Sequence, residues 1–338
     1  MRIRCRQLLV TAGRAGRLAT AVVLGVGRWR VARVAVPALA AAALLAAALP
    51  AEAAKAKPDP SAAAAAKDPA LPKAASSEIP PPPAPLPRKA PTPAQIEAAQ
   101  KVRSPKPQAE MEALAKSDPL EFLRLALKWH DDRITDYSCQ FVKMENIGGA
   151  LRKPETTLMK FRAKPFSVYV KWIEEVTKGQ EVIYVDGVND GKACVHPSGL
   201  LGILFRKVSI DPLSKTALKH SRRPLTMAGM GNMLRLIVPQ CEAAKANGDL
   251  SLTYEGLRQE DGRPAYLFKR VLPNRNKYPC EVLLIYIDCE YLLCVRTDAW
   301  DWGGALLSHY SYTDLTINPG FEDIDFNPDN RDYNFRLF

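Results

Sequence analysis

From Leu158 to Pro197 the chain alternates in polarity: Phe166, Val168, Val170 and Trp172 are separated by Ser167, Tyr169 and Lys171. That period of two is a strand with one apolar face. Lys164-Pro165 precedes the run, Lys178-Gly179 follows it, and Asp186-Gly187 and Asp190-Gly191 are dipeptides that tolerate positive φ. The stretch predicts an antiparallel meander. Similar patterns predict strands at 137–144, 156–163, 250–257, 265–272, 281–287, 292–298 and 306–312. The run 282–287 is apolar on both faces, so both sides of it must be covered.

Two segments carry the helical period. Asp118 suits an N-cap, Pro119 the first helical position and Glu121 a capping box. Leu120, Leu123 and Leu127 follow on one face, with Phe122, Leu125 and Trp129 beside them. A second helix is predicted over 226–238, stopped by Pro239, with Met227, Met230, Leu234 and Ile237 as its stripe. Methionines repack around variable guests, and they also fill gaps in ordinary cores. Residues 199–205, Gly-Leu-Leu-Gly-Ile-Leu-Phe, are apolar without strand alternation.

The net charge of +11 is concentrated at the start, where residues 1–53 hold eight arginines and one glutamate. The modest remainder, without basic runs interleaved with aromatics, is no nucleic-acid footprint. The early arginines, the apolar run 34–49 and Ala51-Glu52-Ala53 predict a signal peptide over 1–53 and export to the periplasm or cell envelope. An uncleaved N-terminal membrane anchor is the alternative, although the run is shorter than the roughly 20 residues of a span and Pro37 interrupts it. No cysteine stands at a lipobox position after the run, so the mature chain is expected to be membrane-proximal and not itself a lipoprotein. Residues 54–110 are rich in Ala, Pro and Lys and predict a disordered linker, leaving a domain over 111–338.

Six cysteines follow Cys5: Cys139, Cys194, Cys241, Cys280, Cys289 and Cys294. After export they are either disulfide partners or small buried hydrophobes. Cys-x-x-Cys is absent and the four histidines are scattered, which argues against zinc. The nucleophile elbow, P-loop and His-Glu-x-x-His motifs are absent. His130-Asp131-Asp132 reads as a helix end followed by a turn. Asp325, Asn327 and Asp329 imitate a calcium loop, but Asn330 and Arg336 stand where Gly and Glu are needed. No enzyme, cofactor or metal is expected.

The central stretch resembles the LolA-type periplasmic lipoprotein carriers. It has a basic residue before Pro at Lys164-Pro165, an aromatic strand from Phe166 to Trp172, and a strand running from Val182 to Gly191-Lys192. The end of the chain resembles an uncharacterised domain family of the same superfamily, through Tyr312, Asn318, Gly320, Asp325, Phe326, Asn330, Tyr333 and Phe335. Alternating strands and apolar helices must bury their faces against each other, which gives an α+β domain. The resemblance implies the topology: a strongly curved antiparallel sheet, an open half-barrel, with helices packed in its concave face. It further implies a non-enzymatic binding protein holding acyl chains or a lipid-modified protein between sheet and helical lid. Phe161, Val168, Val170, Trp172, Val182, Tyr184, Met227, Met230 and Leu234 are the expected cavity residues. Lys164 is the expected orienting cation, where the family has Arg. Two alternatives stay open: an envelope sensor or scaffold that binds a protein partner, and an exported hydrolase.

Overall fold

This computed structural model describes Ile79 and residues 92–338, except 174–176, 276, 337 and 338. The chain divides into two units, Met1–Asp59 and Pro60–Phe338. The first unit, with the expected signal peptide, and the linker up to residue 91 apart from Ile79 lie outside the described residues.

Among the described residues, helical structure begins inside the stretch expected to be linker. Helix α1, Pro93–Lys101, starts at a capping box in which Thr92 Oγ1 accepts from Gln95 N and Gln95 Oε1 accepts from Thr92 N. Helix α2, Gln108–Ser117, precedes α3, Pro119–Arg133, whose Asp118 cap accepts from Glu121 N at 3.0 Å. His130, Asp131 and Asp132 belong to the last turn of α3 and do not follow it. Among the described residues no helix is long and apolar enough to cross a membrane.

The strands are β1 (Asp136–Ile147), β2 (Ala150–Leu151), β3 (Glu155–Arg162), β4 (Ser167–Trp172), β5 (Glu181–Val185), β6 (Ala193–His196), β7 (Val208–Ile210), β8 (Ser251–Glu260), β9 (Arg263–Val271), β10 (Val282–Asp288), β11 (Cys294–Trp300) and β12 (Leu306–Ile317). They form one antiparallel sheet in the order β7-β6-β5-β4-β3-β1-β12-β11-β10-β9-β8, with β2 on β1. Two meanders are therefore joined where β1 pairs with β12. Both edges stay open, so the sheet is not closed into a barrel. Bulges, one each in β8 and β11 and two in β12, supply the bending of the half-barrel.

Between β6 and β7 lies α4, Gly199–Leu204. Between β7 and β8 lie α5, Lys215–Leu218, a 3-10 turn at Leu225–Met227, and α6, Met230–Ala246. The helix expected over 226–238 is thus broken at Ala228 and Gly229, and Pro239 does not end it. Pro239 and Arg235 are both exposed, so the carbonyl that Pro239 leaves unpaired faces water, and the helix continues.

Helices α2, α3 and α6 cover the inner face of β9–β12. Phe122 of α3 meets Tyr266 and Phe268 of β9 with ring centroids 4.9 Å apart, and Leu234 and Ile237 of α6 pack with Leu283 and Ile285 of β10. On the outer face of β3–β6 the chain end forms a strap. Tyr333 stacks on Tyr169 at 4.0 Å, and Asp325 holds Lys160 at 2.6 Å. The buried Glu181 carboxylate accepts from Asn334 N and Nδ2 and pairs with Lys171 at 3.1 Å. The six cysteines after Cys5 are free thiols, five of them buried. Burial pushes the thiols of Cys139, Cys194, Cys241, Cys289 and Cys294 up, as befits small apolar fillers.

Candidate functional site

Strand register brings most of the expected cavity residues into two rows on the inner face. Phe161, Val168 and Tyr184 are cross-strand neighbours on β3, β4 and β5. Met159, Val170, Val182 and Val195 form the next row, and Trp172 lies opposite Thr157. Neighbours in such rows share a face. Tyr137 of β1 stacks on Phe161 at 4.7 Å, and Phe166 stands edge-on to Phe161 at 5.7 Å and tilts toward Tyr184 at 5.9 Å. The result is an aromatic shelf from Tyr137 to Tyr184.

The start of α6 is seated on that shelf. Met230 N donates to the Tyr137 hydroxyl at 3.0 Å. Gly229, at φ +113°, lies so close to Phe161 that an added Cβ would come within 2.8 Å of Cε2. Only Met230 of the expected lid residues joins the shelf. Leu234 is buried one turn further on, against α3 and β9–β10. Met227 is outside α6, half-buried in the 3-10 turn. Lys164 is exposed in the β3–β4 turn.

Beyond the seat of α6 the shelf continues as a separate apolar cluster: Val182, Tyr184, Ala193 and Val195. It is bordered by the partly buried Phe166, Trp172, Ile210 and Leu225, and among the described residues no α-helix contributes to it. Trp172 Nε1 donates to Glu155 at 2.9 Å, which fixes the indole at the rim.

Beneath α6 the space is nearly filled. A cavity of about 40 Å3 lies between Met233, Ile237 and Gln240 of α6 and Leu283, Thr297 and Tyr310 of the sheet. Arg222, Arg223 and Arg270 also line it. Arg270 is 1% exposed; it donates to Gln240 Oε1 at 3.0 Å and to Cys280 Sγ at 3.2 Å, and its Nε has no partner. The Tyr310 hydroxyl donates to the buried Glu145, whose Oε2 accepts from Arg222 N at 3.1 Å. Burial, and then the Glu145 charge, push the Tyr310 hydroxyl well up, so it stays a donor. Arg270 and Glu145 escape a reading of the sequence: Arg270 sits in an ordinary strand pattern, and Glu145 follows the strand expected over 137–144. A larger open groove of about 350 Å3 lies elsewhere, between α1, the end of α3 and Asn318. Among the described residues no cluster of three or more metal-ligating side chains occurs.

The residues that carry the C-terminal resemblance are structural fasteners. Asn318 Oδ1 accepts from Thr135 N at 2.9 Å, and its Nδ2 donates to Arg133 O at 2.8 Å, locking α3 to β1. Gly320 N donates to Asp136, Asn330 Nδ2 to Ile324 O, and the Tyr333 hydroxyl to Asp325 O. Tyr312 stacks on Phe141 at 4.8 Å. Asp325 and Asp329, two acids of the calcium-like run, are engaged by Lys160 and Lys207.

The sequence profile of DUF1571, described as a protein of unknown function, matches residues 134–335. The chain belongs to the DUF1571 family. The matched span runs from the end of α3 through the strap, so it includes the shelf, the lid and the fasteners. No curated protein matches the sequence. Solved structures similar to this DUF1571 chain include a LolA superfamily protein from Nitrosomonas europaea, at 9% identity and TM-score 0.24, covering 69% of this chain and 96% of that one. Lipoprotein LppX of Mycobacterium tuberculosis is 14% identical at TM-score 0.36, covering 59% and 97%. The MucA/MucB complex structure from Pseudomonas aeruginosa matches at 17% identity and TM-score 0.38, covering 62% of this chain and 60% of that one. These scores are too low to transfer an activity from any of the three.

Proposed function

We propose that this DUF1571 domain is an exported, non-enzymatic binding protein of the periplasm or cell envelope that holds an acyl chain, free or attached to a lipid-modified protein. The observation that carries the reading is the apolar cluster of β4–β6, which continues the shelf past α6 and is bordered by partly exposed apolar side chains. In this reading the chain lies along Val170, Val182, Tyr184 and Val195, with Phe166, Trp172 and Leu225 as its walls. Lys164 is assigned the acidic headgroup. The 225–229 turn and the start of α6 act as the movable side of the site. Each methylene removed from water contributes about 0.8 kcal/mol.

The space under α6 does not serve. Ligand sites occupy roughly 300 Å3 or more, and the 40 Å3 there admits only a few water-sized groups. That filled gap favours the second reading, a module that binds a protein partner on the same face. Native mass spectrometry of gently purified full-length protein, with lipid extraction of the same sample, separates them. One acyl-bearing adduct per chain is expected. An adduct-free chain with no extractable lipid, binding no added fatty acid, would leave the partner-binding module.

A further inference from the structure

Helix α4 is built inside out. Its inner side is Gly202, buried so tightly that an added Cβ would run into the Pro197 carbonyl and lie 3.1 Å from His196 Cε1 and Nε2. Its other side carries Leu200, Ile203 and Leu204, whose spacing places them on one helical face. They are 79%, 65% and 71% exposed. Phe205 follows at 48%, and Leu213 stands out at 64% from a turn in which Asp211 Oδ1 accepts from Leu213 N. Folding normally hides such side chains, and a contiguous apolar patch marks a docking surface.

The segment that carries the patch is basic, and its charge identifies what docks. Residues 199–224 contain Arg206, Lys207, Lys215, Lys219, Arg222 and Arg223 against Asp211 alone. Lys207 is engaged by Asp329 at 3.0 Å, while Lys215, Lys219 and Arg222 are exposed. Protein interfaces are depleted in lysine around their apolar centres. A bilayer with anionic headgroups takes both parts, aliphatic side chains at the acyl boundary and cations at the phosphates. We propose that residues 199–224 dock this protein on an anionic membrane surface, with Leu200, Ile203, Leu204 and Phe205 inserted. The inference is independent of what the β4–β6 cluster holds.

Hydrogen exchange on the full chain, resolved by peptide, tests it with vesicles of phosphatidylglycerol and phosphatidylcholine. Local readout excludes any binding through residues 34–49. Amides of 199–205 should slow by about tenfold or more on the mixed vesicles and recover in high salt. Leu200→Asp with Leu204→Asp, at exposed positions, should abolish that protection while β9–β10 amides keep theirs. Lys215→Glu with Lys219→Glu should weaken vesicle affinity about thirtyfold, from about 1 kcal/mol per cation. Amides of 199–205 that exchange equally fast with and without vesicles would overturn the proposal. So would equal protection on pure phosphatidylcholine that the lysine variants leave unchanged.

Discussion

Gly229 touches the ring of Phe161 with no side chain between them, and this contact seats the lid on the aromatic shelf. The backbone there is at φ 113° and ψ 151°, a region essentially reserved for glycine. Gly229→Ala adds backbone strain to overpacking against Phe161 and should cost roughly 2–5 kcal/mol in urea unfolding. Phe161→Leu in the same background should restore about 1 kcal/mol, because it relieves the clash and leaves the strain. Strict additivity of the two substitutions would show that the contact does not bear on α6.

Arg270 is a buried cation without a carboxylate in ion-pairing reach among the described residues. Its hydrogen bonds to Gln240 and Cys280 leave Nε bare. Burying an unpaired charge costs several kcal/mol, and an apolar side chain of similar length removes that cost. Arg270→Met should therefore match the wild type or gain about 1–4 kcal/mol in urea unfolding. Arg270→Ala should lose about 2–4 kcal/mol, since it opens a cavity beside Leu283. A methionine variant as unstable as the alanine one would mean that the guanidinium stabilises the fold.

Burial holds the His196 imidazole below the usual histidine range. The Arg206 carbonyl 3.2 Å from Nδ1 and the charge of Glu181 pull the other way, more weakly. Unfolded, the group titrates near 6.5. Between the folded and unfolded values the unfolded chain carries more protons, so stability rises with pH. It is lost as pH falls below about 6.5 and levels off under the folded value. Melting temperatures between about pH 7.5 and 5.5 should fall more steeply for the wild type than for His196→Gln. Parallel curves would remove His196 as a source of the slope.

Much of the fold is legible from alternation. The runs around β3, β4 and β5 place Phe161, Val168 and Tyr184 in one row because a period of two admits only one other register, which would turn the polar set inward. The break before α6 is not legible in that way. Met227 and Met230 continue the helical stripe of Leu234 and Ile237, whereas the close approach of Gly229 to Phe161 goes with a turn there. Pro239 misleads for the opposite reason: its missing N–H costs little on an exposed helix face. Residues 199–205 show an apolar patch in the sequence, but whether it faces core or solvent depends on Gly202 meeting Pro197 and His196. The fasteners Asn318, Asn330 and Tyr333 stand out as a pattern, while their partners are backbone groups that no pattern names.

The central claim is that the inner face of β4–β6 takes an acyl chain. Titration of the full-length protein with a fluorescent fatty acid, competed with unlabelled fatty acid, tests it most directly. The wild type should bind saturably at about one chain per protein, given one continuous apolar cluster of this size. Ile210→Glu, on the short edge strand β7 at the border of the cluster, should keep its melting transition and weaken binding about tenfold, because the charge must be desolvated beside the chain. Folded wild type that shows no saturable, competable binding would contradict the claim.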